Sequence, residues 1–290
     1  MSTARGGWEL PISEDELTRL TAGMAEAHLG TLSAMRASAA ELTEQITAGG
    51  AARGHTAQDG SAQDGSAQDD PAQDDPAGPG RRRFLLGAAG AGAAFLLAAC
   101  SSDKGSAAPP AAKSASPVVD KSVYTGDLKI VALAVALENQ AVGVYKGTLA
   151  AAKAGKLGTV PPAVTTFVTT AMAQHADHAK AWNAVLTGAR KPAITGVPLS
   201  NQKKVTTALG KATNVGAVST LALQLEDQAA QTYLFATYNV KSAAGIRTAA
   251  TIAPVEAMHA TILNFFLGET PVPEAFLPVD LAAKPSLLTV

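Results

Sequence analysis

Cysteine is almost absent: Cys100 is the only one in 290 residues. A lone thiol excludes an intrachain disulfide and a cysteine-ligated metal cluster. Aromatic residues make up only 4% of the chain, so a core has to come mainly from Ala, Leu and Val. No stretch keeps up the apolar/polar alternation of a half-buried strand. No glycine-rich nucleotide loop or nucleophile motif is visible either. Strong net charge is missing, at −1 overall, but two opposite regions are hidden in that sum. Residues 1–80 hold 13 acids against 4 Lys/Arg, a net of −9, whereas residues 101–290 hold 11 acids against 16 Lys/Arg, a net of +5. A balance of +5 spread over so long a segment is too weak to argue for nucleic acid.

The regions differ in character as well as charge. Residues 13–47 read as one amphipathic helix. Ser13 is a good N-cap, and Glu14, Asp15 and Glu16 place acids in the first turn. Leu17, Leu20, Met24, Leu29, Leu32 and Met35 recur at roughly helical spacing, and Gly49-Gly50 is expected to end the run. A surface or partner-seeking helix is as good a reading as any specific role. Residues 57–76 are four tandem pentads, AQDGS, AQDGS, AQDDP and AQDDP. They offer nothing apolar larger than Ala, so burial cannot offset chain entropy, and an acidic disordered linker is expected through residue 80.

Residues 81–100 read RRRFLLGAAGAGAAFLLAAC. The apolar run from Phe84 to Ala99 is short for a spanning helix and diluted by Gly and Ala. A basic start, a short apolar centre and a small-residue end match an export signal. Arg81-Arg82 followed by Phe84-Leu85 resembles the twin-arginine signal. Leu97-Ala98-Ala99-Cys100 resembles the bacterial lipoprotein cleavage box, in which the cysteine carries the lipid. Together they imply an exported chain held on the outer face of the cytoplasmic membrane by lipid on Cys100. The alternative is a buried or membrane helix. Export signals usually open a chain, and here 80 residues come first. Either translation starts downstream of Met1 or the chain carries a long cytoplasmic extension. Residues 101–124, rich in Ser, Ala, Pro and Lys, read as a tether.

From Asp127 onward the chain turns to long Ala-rich apolar stretches, and four helices can be drawn. The first covers about 127–153 and ends in the Ala154-Gly155-Lys156 turn. The second opens at Pro161-Pro162, since proline suits a first turn, and Gly188 is expected to end it. A long crossover containing Pro192 and Pro198 comes next. The third lies within about 201–239 with a break near Asn214–Gly216, and the fourth covers about 242–267, closed by Gly268. The spacing predicts an all-α fold, a four-helix bundle over residues 125–290 with a long crossover between helices two and three, ending in a C-terminal tail.

Scarcity again shows where the chemistry lies. Residues 101–290 contain five glutamates and three histidines, although Glu is a favoured residue on soluble helices. Glu138 stands in LENQAVGVY and Glu226 in LEDQAAQTY, each seven residues before a tyrosine, Tyr145 or Tyr233. This is an internal repeat joining helices one and three. Helix four carries Glu256 and His259 in VEAMHA, and helix two carries His175 and His178 in AQHADHA, both spaced i, i+3. Residues three apart on a helix can face one centre. One carboxylate from each of two helices, with an i, i+3 pair from each of the other two, is the geometry of di-iron and di-manganese carboxylate bundles. Ionised carboxylates are costly in a bundle interior, and a divalent cation removes that cost. Carboxylate with imidazole suits Fe, Mn or Zn. Asp177 adjoins His178 and points about 100° away on the helix, so it is not counted as a ligand. Tyr145 and Tyr233 are candidates to donate hydrogen bonds to the ligand carboxylates, or are core aromatics with satisfied hydroxyls. Pro254, two residues before Glu256, is expected to kink helix four.

On these motifs the region from about 125 to 280 resembles the ferritin-like superfamily, in particular bacterial ferritin-like domain proteins that carry export signals. The resemblance implies one or two Fe or Mn ions held by Glu138, His178, Glu226, Glu256 and His259, with His175 as a sixth, neutral ligand and oxidoreductase chemistry as one outcome. It also implies a bridging carboxylate on helix two, where this chain has His175. That departure leaves three readings open: a redox metalloprotein, a metal-binding module without catalysis, or a structural bundle with a degenerate site. A storage shell fits poorly with a lipid-anchored chain on long arms.

Overall fold

The computed structural model describes residues 9–56, 122–274 and 277–290. The pentad repeats, the arginine-led apolar segment with Cys100 and nearly all of the 101–124 stretch lie outside the described residues. The Ala/Leu/Val-rich stretches form helices: α1 (Glu14–Thr56), α2 (Asp127–Lys153), α3 (Pro162–Gly188), α4 (Gln202–Lys211), α5 (Val215–Asn239) and α6 (Ala243–Leu267). A single 3-10 turn, Pro285–Leu287, stands in the tail. No strand occurs among the described residues.

Local chemistry sets the helix ends. Ser13 accepts from Glu16 N at 3.1 Å, Asn214 from Ala217 N at 2.8 Å and Ser242 from Gly245 N at 3.4 Å, each satisfying an amide that the helix leaves free. Asn214 thus marks the break that splits the expected third helix into α4 and α5. Gly268, at φ 82, stops α6 in the left-handed conformation that glycine tolerates. Helix α3 does end on Gly188, but the left-handed residue is Arg190, two residues beyond, at φ 58. A second reason for a glycine at 188 is space: an added Cβ would lie 2.2 Å from Thr43 Cγ2 on α1. Helix α1 passes Gly49-Gly50 and continues to Thr56. Two glycines weaken a helix but do not end it unless a left-handed turn or another breaker accompanies them. Helix α6 is continuous through Pro254. Pro254 and Ala250, whose carbonyl it leaves without a partner, are both exposed, so water can meet the lost bond.

The helices pair most extensively as α2 with α3 and α5 with α6. The two pairs meet along α2 and α5, whereas α3 and α6 make little direct backbone contact. Helix α1 packs along both α3 and α6 and fills the groove between them, so that it belongs to the same compact unit as the bundle. Its buried seam reads Leu17, Thr21, Met24, His28, Met35, Ser38 and Leu42, spaced largely by threes and fours. Leu29, expected on the apolar face, is 68% exposed, and its neighbour His28 takes the seam position at 4%.

The crossover is tied down by side chains from both partners of the first pair. Asn183 grips Ile194 through both its amide atoms at 2.9 and 2.8 Å, and Asn139 donates to the Ile194 and Gly196 carbonyls. Helices α2 and α6 are long and apolar enough to cross a membrane. Here each turns an apolar face inward and carries ionisable residues at its centre, as a core helix with a polar site does. Two apolar clusters fill the interior. One gathers Leu133, Trp182, Val185 and Ile252, and the other Phe167, Val215, Leu263 and Phe266. Between them lies a polar layer.

Candidate metal centre

That layer consists of Glu138 on α2, His175 and His178 on α3, Glu226 on α5, and Glu256 and His259 on α6, each at most 1% exposed. They form two overlapping sets, each within metal-ligating reach. One is Glu138, His175, His178 and Glu256, and the other is His175, Glu226, Glu256 and His259. In both, the ligating atoms lie within 4.8 Å of one another. His175 and Glu256 belong to both sets and stand in the two positions where a bridge between ions would lie. The centre is therefore unequal, with a carboxylate on one side and an imidazole on the other.

The imidazole on the shared side is engaged at both nitrogens. His175 Nδ1 lies 2.7 Å from Glu138 Oε2, and Nε2 lies 3.1 Å from Glu226 Oε1. His259 Nε2 donates to Gln174 Oε1 at 2.7 Å, which leaves Nδ1 facing Glu226 Oε2 at 3.2 Å and Glu256 Oε2 at 3.1 Å. His178 Nδ1 lies 2.8 Å from Glu256 Oε1, within ion-pair distance, yet both atoms are buried and neither is in hydrogen-bonding geometry. Buried polar atoms are nearly always hydrogen-bonded. Two ligand-type atoms this close and without a hydrogen bond fit a shared cation better than they fit each other.

The tyrosines reach across the bundle. Tyr145 on α2 donates to Glu226 on α5, and Tyr233 on α5 donates to Glu138 on α2. Sequence spacing set each tyrosine on the face of the glutamate in its own helix, and the structure pairs each with the other copy. Trp182 Nε1 donates to the Tyr233 hydroxyl at 3.0 Å and steadies that arm. Burial first, and then the charges of Glu226 and Glu138, push both phenols well above their ordinary range, so they remain donors.

In the metal-free chain the carboxylates and imidazoles balance one another. Burial by itself would raise the Glu138 carboxyl, but His178 and His175 override it and hold it down at about 2. Glu226 is held well below its ordinary value by His175 and His259 against the same burial effect. Burial would lower the imidazoles, and the surrounding carboxylates reverse that. They push His178 up to about 9 and raise His175 and His259 as well. Asp177 stays out of the cluster and faces α1, 3.3 Å from Arg36 and 3.5 Å from His28 Nε2. Sequence reasoning passed over Gln174 as a partner of His259, Trp182, and His28, whose ring meets His178 edge-on at 5.2 Å between centroids.

Fold and site together define a helical bundle with a buried carboxylate/histidine centre. Residues 126–269 match the family model of the ferritin-like domain, and this region is a ferritin-like bundle. The match begins one residue before α2 and ends two residues after α6. It therefore covers all six cluster residues. No curated protein and no solved structure matches the chain.

Proposed function

We propose that this chain is an exported, membrane-tethered ferritin-like protein that binds Fe or Mn through Glu138, His175, His178, Glu226, Glu256 and His259. The observation that carries the metal reading is the pair of overlapping ligand sets, closed around the atoms of His178 and Glu256 that make no hydrogen bond. Fe or Mn bound there would supply one-electron redox chemistry. The chain's own groups would do the rest. Glu138 and Glu226 would each serve one side, oriented by Tyr233 and Tyr145. Glu256 would serve both sides. Gln174 would fix the tautomer of His259, and the two apolar clusters would keep bulk water away. Export and tethering rest on Arg81-Arg82 and on Leu97–Cys100. The twin-arginine route carries folded proteins, which suits a metal loaded before export.

A second reading is a structural bundle with a degenerate site. The double engagement of His175 favours it, because three imidazolium groups can neutralise three carboxylates without any ion. Elemental analysis of the purified chain beside Glu256→Ala separates the readings. Bound Fe or Mn in the wild type that is lost in the variant supports the first. No metal in either, with the fold unchanged, supports the second.

A further inference from the structure

Helix α1 brings one more histidine to the level of the metal centre. Its seam has apolar Leu17 and Met24 in one apolar cluster and Met35, Ala39 and Leu42 in the other. Between these stands His28, at the height where the polar layer lies. A leucine there would continue the seam. Instead an imidazole is 4% exposed, with both ring nitrogens buried and in no hydrogen bond. Its neighbours are informative. The ring meets His178 edge-on, 5.2 Å between centroids, and Nε2 lies 3.5 Å from Asp177 Oδ2. Asp177 in turn meets Arg36, whose side chain is more than half exposed. His178 Nε2 is also buried without a partner. Two adjacent imidazoles thus present four buried ring nitrogens, none in a hydrogen bond, at the one place where α1 crosses the centre.

A metal ligand imidazole normally has its outer nitrogen held by a polar partner, which fixes the ring and its tautomer. His259 has Gln174 for this role, and His178 has no such partner on its own bundle. Both ligand sets close without His28, so it is not needed as a ligand. Resting on the metal-binding reading above, we infer that His28 is a positioning residue of the metal centre. Supplied by α1 from outside the ferritin-like region, it holds the outer edge of the His178 ring and links it to Asp177 and Arg36 at the surface. Helices α2, α3, α5 and α6 then provide the ligands, and α1 provides the outer partner for the least supported one.

The test uses the full chain loaded with Co(II), whose visible absorption bands report ligand geometry. His28→Phe keeps a flat ring in the seam and removes both nitrogens, while His28→Gln restores a polar group. The Phe variant is expected to shift the bands and to lose Co(II) to a chelator about 10-fold faster, with Gln recovering most of that loss. Asp177→Ala, at a partly exposed position, is expected to shift the bands in the same direction by less. Phe behaving as wild type would mean that only packing matters at 28 and would overturn the inference, as would Gln performing no better than Phe. Absence of Co(II) bands in the wild type would bring down the metal reading and this role with it. Wild-type bands that no variant moves would bring down this role alone.

Discussion

Glu256 is the one carboxylate common to both ligand sets, and its consequences differ from those of its neighbours. Glu256→Ala should abolish metal retention, whereas Glu226→Gln should weaken the half that contains His259 and spare the other. Metal content after gel filtration distinguishes the two. Tyr145→Phe removes the phenol's hydrogen bond to the Glu226 carboxylate, leaving His175 Nε2 at 3.1 Å from the same oxygen, and should cost about 1–3 kcal/mol in urea unfolding. The charges also set a pH dependence in metal-free protein. Glu138 titrates at about 2 instead of 4.5, so its contribution is complete above 4.5 and is lost as pH falls through about 2. His178 titrates at about 9 instead of 6.5, so its contribution is complete below 6.5 and is lost as pH rises through about 9. Chelator-stripped protein should therefore melt highest between pH 4.5 and 6.5 and progressively lower toward 9. Metal affinity should run the other way over the upper range, since ligand imidazoles must shed their protons. The six cluster residues were legible in the sequence because Glu and His are so rare after residue 100. The crosswise tyrosines were not, since two turns of spacing locate a side chain on its own helix but not the helix it faces.

Helix α1 shows the same limit on a larger scale. Its existence and start follow from Ser13 and the acids behind it. Its register does not follow from leucine positions alone, because Leu29 and His28 differ by about 100° and only the groove between α3 and α6 decides which is buried. A seam counted in threes and fours from Leu17 would have passed through His28. Gly188 was legible as the end of its helix, but its second role, to admit Thr43, was not. Gly188→Ala should thus push α1 from α3 and destabilise the unit by about 1–3 kcal/mol, and Thr43→Ala in the same chain should restore most of it. A double-mutant cycle by thermal unfolding checks this, and equal losses in both backgrounds would refute the contact.

At the scale of the molecule, the order of the elements along the chain matters as much as their packing. Metal bound by the proposed ligands would link the four bundle helices at one level, so loading should raise the melting temperature of the bundle as a unit. Metal present at 100 times its dissociation constant would add about 2.7 kcal/mol, and stripping should remove that gain. Helix α1 docks on α3 and α6, yet residues 81–100 stand between them in sequence. A chain that crosses a membrane once within 84–99 has its two flanking parts on opposite faces. For a chain that did so, the docked arrangement and the crossing would exclude one another. If the chain is also cut before Cys100, the part that leaves takes His28 with it. The precursor and the mature protein would share a ferritin-like domain and six ligand residues while differing in how firmly His178 is held. Under such processing, the leader of this protein would be a temporary member of the metal centre as well as an address.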